Sequence, residues 1–268
     1  MHAHEADPAD DPLRGPYASV LRLPWLSSSV VTWLALVAYL VVAKVLSLTL
    51  VPITFRSAGQ ESLFDWTTLA VFAVLGLIGV VLADRTGFPT AWDRRISNRQ
   101  RLLIPVLVGG GIGALAVAID LLTGGSEAVA RATDQPSFNI DFPGSLLAYS
   151  AGGILVDVEY RLFTVPFLLW LISSVLLRGR GQVPTFWVLA AVSTLFEPLL
   201  QGVGLFILGG GAITVGMLAA YMVTAISLNF TQILFFRWYG LVASVLVRQA
   251  DYLVWHIVYG NFLYGAIF

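Results

Sequence analysis

Apolar residues run along this chain in stretches of about 20, broken by short polar segments, and that spacing places the elements. The runs predict membrane-spanning helices at roughly 30–52, 64–83, 102–122, 146–177, 184–207, 211–235 and 239–262. The breaks are chemically distinct: 52–65 is a polar connection, 84–101 a basic one, 123–143 an acidic one, and 178–184 a short Arg/Gly/Pro turn. The expected fold class is therefore all-α, a polytopic transmembrane helical bundle of about seven spans (seven to eight). The 146–177 run is too long for one straight crossing. Its ~32 residues reach about 48 Å at 1.5 Å each, against a hydrocarbon core of about 30 Å, so it should tilt, kink near Pro166 or project into the cytosol.

Arginines orient the bundle. Arg85, Arg94, Arg95, Arg99 and Arg101 crowd the 84–101 loop, which the positive-inside rule places on the cytoplasmic face. Alternation then brings Arg14, Arg22, Arg178, Arg180 and Arg237 to the same side. The 123–143 loop, with Glu127, Asp134 and Asp141 against the lone Arg131, falls outside. The N-terminus is thus expected to be cytoplasmic and the C-terminus outside. Residues 1–29 are polar and read as a disordered cytosolic tail, and 30–268 as a single transmembrane helical domain in the cell membrane, with the lipid bilayer as its first partner.

Composition sharpens the class and removes others. Hydrophobic residues make up 57% of the chain and charged residues 12%, and a formal charge of -1 gives no electrostatic footprint for nucleic acid. The chain has no cysteine, which removes disulfides, thiol nucleophiles, thiolate metal sites and palmitoyl or prenyl anchors.

Against that apolar background, Asp157, Glu159, Arg161, Glu197 and Arg248 stand inside predicted spans, where a charge costs several kcal/mol unless it is paired or functional. Asp157 and Arg161 are four apart and share a helix face, whereas Glu159 is rotated by about 200° and needs a partner on another helix. Arg248 and Asp251 are three apart in the last span, with His256 two turns beyond Arg248 on a similar face. These positions are candidates for one convergent site.

The segment Gly153-Ile154-Leu155-Val156-Asp157-Val158-Glu159-Tyr160-Arg161 resembles the Glu-Glu-x-x-x-Arg signature of the CPBP (CAAX protease and bacteriocin-processing) intramembrane metalloproteases. Arg161 takes the arginine position, Asp157 the second glutamate and Val156 the first. Ser193 to Leu200 resembles that family's Phe-x-x-x-His helix, with Phe196 in place and Leu200 where the histidine belongs. The stretch from Gly240-Leu241 to His256 resembles its closing helix, with Arg248 at the second histidine and Tyr252 four residues on. The resemblance covers about residues 145–260. It implies a cavity open to the membrane in which glutamates and histidines bind a catalytic zinc and activate water. Here His2 and His4 lie in the tail, which leaves His256 as the one histidine in the membrane region.

The expected function is therefore that of a pseudoprotease with no cofactor, in which an Arg248–carboxylate network stands where the metal would be and the old cavity binds or regulates a membrane-embedded peptide or protein. A purely structural ion-pair network is the plainer reading of the same charges. One alternative is an active intramembrane metalloendopeptidase of this type, with zinc, Asp157 or Glu159 as general base and His256 as ligand or acid. A small transporter or channel is the other, suggested by glycine triplets at Gly109-Gly110-Gly111 and Gly209-Gly210-Gly211; such triplets also serve close helix packing, through Gly109 and Gly113, or turns between spans. Elsewhere, Lys44 is expected to snorkel or to meet a buried partner such as Asp120, and the Asn229 sequon lies inside a span, out of reach of glycosylation. Trp25, Trp33, Trp66, Trp92, Trp187, Tyr239 and Tyr259 read as interfacial anchors.

Overall fold

The computed structural model of the chain describes residues 27–209 and 211–264. The tail expected over 1–29 thus lies outside the described residues up to 26, as do Arg14, Arg22 and Trp25, and Ser28 already begins the first helix. The described residues form ten α-helices and no strand. They are α1 (Ser28–Thr49), α2 (Ala58–Leu63), α3 (Trp66–Arg85), α4 (Ile104–Thr123), α5 (Gly125–Ala132), α6 (Gly144–Asp157), α7 (Thr164–Leu169), α8 (Gln182–Leu208), α9 (Val215–Tyr239) and α10 (Leu241–Tyr252). Wider π-type turns lead into α4 over Arg99–Leu103 and continue α10 over Leu253–Leu263.

Six helices are long and apolar enough to cross a membrane: Ser28–Thr49, Trp66–Arg85, Arg99–Thr123, Gln182–Ile207, Val215–Tyr239 and Leu241–Leu263. The chain is a multi-pass helical membrane protein, and these six match six of the expected spans to within four residues at the ends. The seventh expected span is helical throughout 144–176 but is assembled from α6, a π segment at Val158–Phe163, α7, and a second π segment at Trp170–Leu176. Pro166 explains part of this. Lacking an N–H, it cannot donate to the Leu162 carbonyl one turn earlier, and that carbonyl instead lies against Gly79 of α3, where a Cβ would come within 2.3 Å of it.

Two packing seams build the bundle. In one, α1, α3 and the 144–176 run enclose Trp33, Leu40, Val80, Leu155, Leu162 and Leu169. In the other, α10 lies along α4 and α9, with Leu228, Phe235, Ala243 and Val247 in the seam. The α4–α10 approach depends on missing side chains: a Cβ at Gly109 would stand 2.1 Å from the Val247 carbonyl oxygen and one at Gly113 2.8 Å from that of Asp251. The first glycine triplet therefore lies inside an unbroken helix; of the second, Gly209 and Gly211 stand between α8 and α9, and Gly210 lies outside the described residues. Gly240 joins α9 to α10 in a single residue at φ 84°, with the Pro89 carbonyl 3.0 Å from where its Cβ would be.

Several interfacial expectations are corrected. Trp33 is buried, its indole N–H donating to the Ala73 carbonyl at 2.9 Å, because its ring fills the notch left by Gly76. Tyr259 is buried as well, its hydroxyl donating to Asp120 Oδ2 at 2.7 Å. Trp66, Trp92 and Trp187 are exposed, as anchors should be. With Asp120 Oδ1 also taking the Ser126 N–H at 2.7 Å, Lys44 does not pair with Asp120; its ammonium lies over the Phe64 ring, 5.3 Å from the centroid.

Candidate functional site

Three helical segments carry the charges to one place in the bundle. Asp157 ends α6, Arg161 sits in the π segment that follows, Glu197 is midway along α8, and Arg248 is in the second turn of α10. All four side chains are buried, with side-chain exposures of 4% or less. Glu197 is the hub. Its Oε1 accepts from Arg248 Nη1 at 2.8 Å, and its Oε2 from Arg248 Nη2 at 3.0 Å and Arg161 Nη2 at 2.8 Å. Arg248 thus grips Glu197 with both ends of its guanidinium, the arrangement that planar fork favours.

α9 completes the arrangement. Gln232 accepts from Arg248 Nε through Oε1 at 3.0 Å and donates through Nε2 to Asp157 Oδ1 at 3.2 Å, while Ser244 Oγ donates to the same carboxylate oxygen at 3.0 Å. Arg161 Nη1 stands 3.5 Å from Asp157 Oδ1 as an ion pair one turn along the helix. Two carboxylates face two guanidinium groups, so the cluster balances to zero formal charge, which is the condition under which buried ions are tolerated. The fit is incomplete at one member: Arg161 Nε and Nη1 have no hydrogen-bond acceptor. Sequence spacing gave the Asp157–Arg161 pair and the convergence of Glu197 and Arg248. It missed Gln232 and Ser244, whose one signal is a polar residue inside an apolar span.

Glu159, Asp251 and His256 do not join the cluster. Glu159 is exposed and forms no ion pair among the described residues, because the 200° rotation from Asp157 carries it away from the seam. Asp251 does not pair with Arg248, which is committed to Glu197, Gln232 and the Tyr252 hydroxyl at 2.9 Å. His256 stacks on Tyr149 at 4.1 Å between ring centroids, and its Nδ1 lies within hydrogen-bond distance of Asn139 Oδ1 at 2.6 Å. Of the positions substituted in the resemblance, Leu200 is exposed, Val156 is half-buried, and Arg248 alone reaches the cluster.

A cavity of about 400 Å³ opens beside the cluster between α4, α8, α9 and α10, within the usual range of ligand sites. Glu197 and Arg248 form part of its wall, together with Gln201, Tyr221, Asp251, Tyr252, Trp255 and His256. Asp157 and Arg161 lie behind that wall and do not line it. A base at Asp157 and an acid at His256 thus address different spaces.

The donor set of the cluster does not suit zinc: both Glu197 oxygens are occupied by guanidinium groups, and Arg248 fills the position the resemblance gives to a histidine. Among the described residues no group of three or more His, Cys, Asp or Glu side chains is arranged to hold a metal. Searches with the chain against family models, curated proteins and solved structures give no match, so the resemblance rests on this chain's own residues.

Proposed function

We propose that this chain is a pseudoprotease of CPBP type, a multi-pass protein of the cell membrane that binds or regulates a membrane-embedded peptide or protein and cleaves nothing. The observation that carries the reading is Glu197 held between Arg161 and Arg248 at the wall of the cavity. Three segments that resemble the family's motif helices meet there, and at their meeting point a guanidinium supplies the positive charge that a metal would. In the charge-balanced cluster both carboxylates, Asp157 and Glu197, are engaged by guanidinium groups, so neither is free to activate water. The cavity beside it keeps the volume and the mixed apolar and polar lining of a binding site. The arginines of the 84–101 connection, Arg85, Arg94, Arg95, Arg99 and Arg101, support an orientation with that loop and the α9–α10 turn in the cytoplasm, and in that orientation the cavity lies in the outer half of the membrane.

Metal content tests this directly. Detergent-purified protein is expected to carry substoichiometric zinc by mass spectrometry, in wild type and in Asp157→Ala alike. Stoichiometric zinc lost in Asp157→Ala, accompanied by processing of a membrane peptide, would overturn the reading in favour of a live metalloendopeptidase.

A further inference from the structure

The cavity wall carries buried acceptors that no described donor meets. Asp251 is 5% exposed, lines the cavity, and makes no hydrogen bond or ion pair with any described residue, although Arg248 is one turn away on the same helix. Asn229, on α9, is 2% exposed and lines the same space; its Nδ2 donates to the Ala225 carbonyl at 2.8 Å, while its Oδ1 has no donor. Asp120 also lines the cavity, its oxygens shared with neutral donors only, the Ser126 amide and the Tyr259 hydroxyl.

Charge counting points the same way. Arg161 and Arg248 are balanced by Asp157 and Glu197, so the two further carboxylates at the wall, Asp120 and Asp251, have no cation of their own. A buried carboxylate without a partner is costly, and unpaired acceptors on two helices facing one cavity are complementary to a donor that comes from elsewhere. The remaining wall is largely apolar, from residues such as Ile119, Leu205 and Leu218, and presents the aromatic rings of Tyr221, Tyr252 and Trp255, whose faces attract cations.

We propose that the cavity binds an organic cation, an ammonium group carried on a small apolar body, with Asp251 as its counter-ion and Asn229 Oδ1 as a second acceptor. The inference rests only on the cavity being a binding space and goes beyond the peptide- or protein-binding role proposed above. The ammonium enters with its charge and its N–H donors toward Asp251, and its apolar body lies against the leucine and aromatic wall. A lipid headgroup amine and a soluble amine share this chemistry.

The test is calorimetric titration of the full chain in phosphatidylglycerol nanodiscs with cyclohexylammonium and, as its neutral counterpart of the same shape, cyclohexanol. Ammonium binding is expected to be at least ten-fold tighter than alcohol binding. That preference should vanish in Asp251→Asn and persist in Asp251→Glu, which separates lost charge from lost fold. Equal binding of the two probes, or an ammonium preference that survives Asp251→Asn, would overturn the cation assignment while leaving a binding cavity in place. Binding of neither probe overturns it as well, and the zinc and cleavage measurements then decide the pseudoprotease reading separately. Repeating the titration with phosphatidylethanolamine in the disc identifies the source: competition assigns the site to the headgroup, and unchanged binding assigns it to a soluble amine, both in keeping with the proposal.

Discussion

Two polar regions lie three residues apart on α10, and they are opposites. At Arg248, every charge has met its opposite, the guanidinium is gripped at both ends, and Gln232 of α9 and Ser244 of α10 donate to Asp157 Oδ1. At Asp251, a carboxylate of similar burial faces a cavity with no partner. Burial alone therefore does not reveal a functional group in this bundle; charge pairing does. A charge-balanced cluster holds helix register, and an unpaired acceptor on a cavity wall leaves bonding capacity for a ligand.

The sharpest way to break the comparison is to unsaturate the first region. Glu197→Ala strands two buried guanidinium groups and is expected to destabilise the protein by about 3–5 kcal/mol, read as a large drop in thermal midpoint in detergent. A loss under 1 kcal/mol would mean that water already reaches the cluster. Gly109→Ala comes next. Its Cβ would stand 2.1 Å from a backbone carbonyl of α10, which cannot yield as a side chain does, so a cost of about 1–3 kcal/mol and a distorted cavity are expected, with the Glu197 cluster kept. Asp251→Asn should then cause no loss and raise stability by up to about 1 kcal/mol, because it removes an unpaired buried charge and no described partner loses its bond. A Glu197-sized loss there would erase the distinction between the two regions.

The smallest effect lies outside the membrane, in the 86–98 loop. Hydrogen bonds from Arg95 lower the Asp93 carboxyl to about 2 from an ordinary value of 3.8. A depressed folded-state value stabilises the folded form above pH 3.8, and that contribution is lost as the pH falls toward 2. Because the Arg95 partner is solvent-exposed, only a slight acid sensitivity of loop protection is expected by hydrogen exchange, removed in Asp93→Asn.

The bundle was legible because the bilayer imposes a length and a polarity that composition records residue by residue. Six spans followed from apolar runs alone, whereas the 144–176 run did not resolve into one, since its π segments answer to a proline and to packing on α3. The i,i+4 pair of Asp157 and Arg161 was visible for the same local reason. Trp33 and Tyr259 were misjudged as anchors because their position near span ends is a sequence property, while the notch at Gly76 and the carboxylate at Asp120 that bury them belong to other helices.

By itself the sequence determined a helical membrane bundle, the absence of thiol chemistry, and a handful of charges too costly to be accidental. Which of those charges neutralise one another was decided only by the tertiary structure. Helix faces three and four residues apart are set by the chain, but the choice of Arg248 for Glu197 over Asp251 depends on how α8 crosses α10, and that crossing is made by side-chain packing between segments some fifty residues apart.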